Sequence, residues 1–226
     1  MKKTNWFYLV FTVVAMVPFM SVAMCGNLSA QGELGKVVPV EVREAATEGL
    51  DHFLKAIPKK ELGYYNFSSQ EELDQATLGN PFRVYTIAPE KILDYDGKTP
   101  VSEIISPTSL WRFPIISEGE IRTLLSVDLI DGVWKAIAIG GSGLAKHWAS
   151  VIKKWPSSEG YEHIFLKIFQ AGSDFVLLSH AGKTEMIPLS SAVLSLDLGS
   201  EEMYDPSDII LRLKRPVLEN IGTYGH

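Results

Sequence analysis

Gly140-Gly141-Ser142-Gly143 is the stretch of this chain closest to reactive machinery. A glycine-rich turn between a strand and a helix can aim backbone N–H groups at an anion. Gly141, Ser142 and Gly143 are therefore the candidate anion-binding turn. The familiar glycine patterns are incomplete here. Lys146 stands where G-x-G-x-x-G needs its last glycine, and the Walker sequence is absent. Leu144 fills the final glycine position of G-x-S-x-G, so Ser142 is not on a nucleophile elbow. The plainest role for the turn is structural, with Ser142 capping the following helix.

The other chemical candidates are sparse. The five histidines are His52, His147, His163, His180 and His226, and none has the spacing of a helical zinc pair. His163 and His180 fall on facing strands. A turn at Gly172-Ser173 would set His180 against Phe165 and His163 against Gly182, diagonal at best. Asp94-x-Asp96-Gly97 begins like a calcium loop, but Ile105 occupies the twelfth position, where a bidentate acid belongs. No metal or cofactor is expected. Ser142 with His147 is the hydrolase alternative, although helical residues five apart do not share a face.

The remaining candidate site is a surface. Trp111–Ser117, Glu120–Ile130 and Val133–Ile139 are strand-like runs separated by Glu118-Gly119 and Asp131-Gly132, which signal tight hairpins. A two-residue loop at each turn sets Asp128 against Lys135, Val127 against Ala136, Leu129 against Trp134 and Leu125 against Ala138. That face is apolar with small alanines and open to close approach by a helix. The same register groups Trp111, Phe113, Arg122 and Lys135 on the other face. They are the candidate ligand-binding residues, unless a second helix covers them as core.

Helices must hold this meander. Val42, Ala45, Ala46, Leu50, Phe53, Leu54 and Ile57 make one stripe, stopped at Pro58. Ser68 with Glu71 and Ser69 with Glu72 are overlapping capping boxes for a short helix to Ala76. Phe82–Ile87 reads as a strand, Asp94–Gly97 as a turn, and 98–108 as irregular loop. A helix follows Gly143 to Trp155. Tyr161–Phe169 and Asp174–His180 form a further hairpin with apolar residues on both sides, as in a sheet covered on both faces. Pro188 opens a helix to Leu196; Asp205-Pro206 caps a last one, which Pro216 closes. Consecutive hairpins give an α+β fold: an antiparallel sheet of five to six strands, a three-strand meander plus a hairpin, packed with helices.

The chain has 226 residues, 46% apolar and 21% charged, an ordinary globular composition. Its formal charge of −6 argues against a nucleic-acid partner. Lys2 and Lys3 precede an uncharged, mostly apolar run from Trp6 to Met24, and Ser29-Ala30 offers small residues for cleavage. Residues 1–30 read as an export signal, with a retained membrane span as the alternative. Residues 31–39 read as a tether, and 40–226 as one domain. Cys25 is the sole cysteine, so a chain cleaved after Ala30 carries no thiol. Val22-Ala23-Met24-Cys25 resembles the lipobox of bacterial lipoproteins. That resemblance implies lipidation of Cys25 and a membrane tether, with a structural or assembly role.

The expectation is an exported protein, periplasmic, cell-envelope or secreted. It binds a peptide, protein or small molecule, and it reads as a binding module rather than an enzyme because no complete catalytic motif is present. An exported serine hydrolase is the rival reading.

Overall fold

The computed structural model describes residues 37–200 and 202–224. The segment read as an export signal, with Cys25, and the expected tether before residue 37 lie outside the described residues.

The helical stripe after Pro39 forms α1 (Val40–Ala56), with Val42, Ala46 and Gly49 buried. A 3₁₀ segment (Lys59–Tyr65) leads to α2 (Gln70–Asp74). Of the two overlapping capping boxes, the Ser69–Glu72 one sets the start: Ser69 Oγ accepts from the Glu72 N–H, while the Glu72 carboxylate accepts from the N–H of Ser68, one residue before the cap. Next come β1 (Thr77–Leu78) and β2 (Phe82–Ile87). The stretch expected to be loop instead contains α4 (Val101–Ile104), after α3 (Pro89–Leu93), and the first part of β3 (Ile105–Ser117). β4 (Glu120–Ile130) and β5 (Val133–Gly140) complete the meander. α5 (Ser142–Lys154) follows, then β6 (Glu162–Ile168), β7 (Ser173–His180) and β8 (Lys183–Pro188). α6 (Ser190–Leu196) and α7 (Pro206–Tyr224) end the described chain.

Among the described residues there is one eight-stranded sheet, ordered β5-β4-β3-β2-β6-β7-β8, with β1 added against β3. Five to six antiparallel strands were expected. The sheet is larger because β1 and β8 join it, and mixed because β2 and β6 run parallel. Pro188 ends β8 rather than opening a helix, a position where its missing N–H is tolerated. Pro216 lies inside α7 rather than closing it.

Both turns of the first meander are as read. Glu118 and Gly119, then Asp131 and Gly132, all have φ between 52° and 78°, the left-handed pairs that suit two-residue hairpins. Each register then slips by one at a bulge. Ser117↔Glu120 and Ile116↔Ile121 give way to Ile115↔Thr123, which leaves Arg122 as the extra residue. Leu129↔Trp134, Asp128↔Lys135 and Val127↔Ala136 hold, but Leu125 meets Ile139 rather than Ala138. The β6–β7 loop is Phe169–Gly172, so the register there differs from the expected one: Phe165 pairs with Val176 and His163 with Leu178.

Three apolar cores result. α1 buries Trp111, Phe113, Leu125 and Val127 against the first meander. α3, α4 and α7 bury Ile87, Leu166, Phe175 and Leu177 of the second half. α5 lies over the residues that alternate with these, Val84, Phe165, Val176 and Leu178. Strands β6 and β7 are therefore covered on both faces, as their apolar runs required.

Candidate functional site

The first bulge dissolves the expected ligand surface. Trp111 pairs with Val127 and Phe113 with Leu125, which turns both aromatics onto the face covered by α1. Each is only 1% exposed. Arg122, extruded by the bulge, is spent on carboxylates: its Nε contacts Glu72, and its Nη1 lies 2.9 Å from Glu120 Oε2. Lys135 is exposed on β5, across the strand from Asp128. The four residues share no surface.

The glycine-rich turn is also rearranged. Gly141, not Ser142, is the N-cap of α5, with φ +74°. Ser142 donates its hydroxyl to the Tyr64 carbonyl at 3.0 Å. A Cβ on Gly141 would stand 4.0 Å from Arg112 Nη1, while nothing lies within 4 Å of one on Gly143. Burial pulls the Arg112 guanidinium below its ordinary value, and Asp174 pulls it the other way.

No Ser142–His147 pair forms. His147 Nδ1 instead accepts the Ser190 N–H at 3.0 Å and lies 2.8 Å from Ser190 Oγ, tying α5 to the start of α6. His163 and His180 part company. His180 stacks on Tyr161 with ring centroids 4.3 Å apart. His163 donates from Nε2 to the Trp155 carbonyl at 2.8 Å, and Trp148 packs edge-on to its ring. Partial burial lowers the His163 pKa, while the bond to Trp155 opposes that shift. Asp96 accepts from the N–H groups of Lys98 and Thr99, so it is a turn carboxylate rather than a calcium ligand. Among the described residues, no group of three or more His, Cys, Asp or Glu could hold a metal ion.

A large concave feature lies elsewhere. A groove of about 1960 Å³ runs along α5, past the starts of β2 and β6. Its position follows from the topology. β2 and β6 are paired only at Val84↔Phe165 and Tyr85↔Leu166, and the residues N-terminal to those pairs line the opening. Phe82 packs on Trp148 at 4.2 Å and on Phe165 at 5.2 Å, which makes an aromatic floor. Along α5 the wall is Lys146, Ala149, Ser150 and Lys153, at helical steps of three and four. The opposite stripe of the same helix, Ala145, Trp148 and Val151, is buried. Tyr161, Ile164 and Asn80 add to the rim.

None of these groove residues belonged to the expected site. The signal available for them was the apolar stripe of α5, which marks its inner face and by subtraction its outer one. Which strands that helix would lie against was set by a long-range parallel contact. Compared with known proteins, the chain matches no family model, no curated protein and no solved structure.

Proposed function

We propose that this protein is a non-catalytic binding module that takes an extended peptide segment of a partner in the groove along α5. The observation that carries this reading is the groove itself, at about 1960 Å³. Pockets for drug-sized molecules run to roughly 300–1,000 Å³, so this one has room for a stretch of chain. Its aromatic floor offers apolar contact, and Asn80, Lys146 and Lys153 supply polar groups beside it, the usual division of labour in recognition sites. The serine-hydrolase alternative has less support, because Ser142 and His147 hydrogen-bond to other residues. The place of action we propose is outside the cytoplasm, on the strength of the charged start and apolar run of residues 1–30.

Selection from a display library of linear peptides tests the binding reading. Selected peptides should shift the amide resonances of Ala149, Ile152 and Ile164, and Ala149→Trp, which fills the groove, should abolish capture. Peptides that bind equally well to Ala149→Trp, or that shift only residues away from the groove, would refute it.

A further inference from the structure

We infer that the groove along α5 selects an acidic segment, with two carboxylates three residues apart along an extended chain. The inference rests on the peptide-binding reading above and adds the chemistry of the peptide. Lys146 and Lys153 both line the groove, and both are exposed. Neither has an ion-pair or hydrogen-bond partner among the described residues. This sets them apart from Arg83, Glu120 and Glu162. Arg83 donates from Nε to the Thr108 carbonyl and lies over the Trp111 ring. Glu120 is paired with Arg122, and Glu162 is also engaged. Glu103, on α4, is the one groove carboxylate without a partner among the described residues. The α5 wall is therefore cationic in a chain whose net charge is −6.

The spacing gives the recognition its period. Residues seven apart on a helix share a face and lie about 10.5 Å apart along its axis. A polyproline-type chain brings every third residue to one face, at about 9.3 Å. Flexible lysine side chains absorb the difference. Between the two lysines stand Ala149 and Ser150, small enough to let a backbone lie close to the helix. Opposite signs across the groove also raise the encounter rate and reject cationic segments.

The test uses three fluorescein-labelled peptides with one neutral backbone. They carry two glutamates, two glutamines or two lysines at positions three apart. The glutamate peptide should bind tightest and weaken as ionic strength rises. Lys146→Glu combined with Lys153→Glu should weaken it by roughly five- to thirtyfold. The same double variant should gain affinity for the lysine peptide. Both positions are exposed, so the fold tolerates the change, and circular dichroism of the variant verifies this. If the glutamine peptide binds as tightly as the glutamate peptide and both resist charge reversal, the acidic preference is wrong while the peptide groove stands. If none of the three binds, both readings fall.

Discussion

At the scale of single residues, Gly49 of α1 is seated tightly on Ala136 of β5. A Cβ built on Gly49 would stand 2.1 Å from the Ala136 Cβ. Glycine inside a helix ordinarily costs about 0.5–1 kcal/mol relative to alanine, so replacing it ordinarily helps. Here the sign reverses. Gly49→Ala must push the helix off the sheet or distort the strand, an overpacking cost of about 1–3 kcal/mol. The next atom, Ala136 Cα, is 3.6 Å away, at ordinary contact distance. Ala136→Gly should therefore rescue Gly49→Ala in a double-mutant cycle read by denaturant unfolding. An additive cycle would show that the two residues do not meet. The alanine-lined face of the meander did announce this approach in the sequence; that Gly49 was the residue to exploit it did not follow from helical periodicity, which marks glycine only as a weak point.

At the scale of elements, α7 carries the least expected feature, Pro216 inside a nineteen-residue helix. Proline lacks the N–H that would bond to the Arg212 carbonyl, and its ring crowds the preceding turn. Burial of Ile209, Ile210, Leu213 and Val217 on one stripe keeps the helix running through that defect. Pro216→Ala should restore the bond and raise stability by about 1–3 kcal/mol, measured as a higher denaturant midpoint at unchanged slope. A lower midpoint would mean that the proline ring packs as a needed part of the core. The helix end was misread because a local rule, that proline stops a helix, was outweighed by tertiary burial. The strands show the same contrast. Asp131-Gly132 fixed its turn through two residue types that tolerate positive φ, and Glu118-Gly119 through its glycine, with Glu118 drawn to φ +53° alongside it. The bulges at Arg122 and Ile137 have no comparable mark. One inserted residue flips every side chain beyond it, and that is why Trp111 and Phe113 belong to the core and not to a binding face. The turn before β8 was hidden for a related reason: Ala181 adopts φ +48°, a conformation its residue type does not advertise.

At the scale of the whole molecule, the sheet is two meanders joined at β2. The seam between β2 and β6 has only two paired positions. By itself that is a thin link between the core under α1 and the core under α7. α5 reinforces it, because Trp148 touches Phe82 of β2 and packs edge-on to Phe165 of β6, while the helix also contacts β4. One tryptophan thus spans the junction at which the groove opens. The two halves should open as one cooperative unit, so that amides in the middle of β3 and β7 exchange with the same free energy. Trp148→Ala should cost about 3–5 kcal/mol and split that unit, with the two strands then exchanging at different free energies. Hydrogen exchange on both proteins decides this. Unequal values for β3 and β7 in the unaltered chain would mean that the halves are already independent, and that the groove lies between loosely coupled bodies rather than across a single rigid sheet.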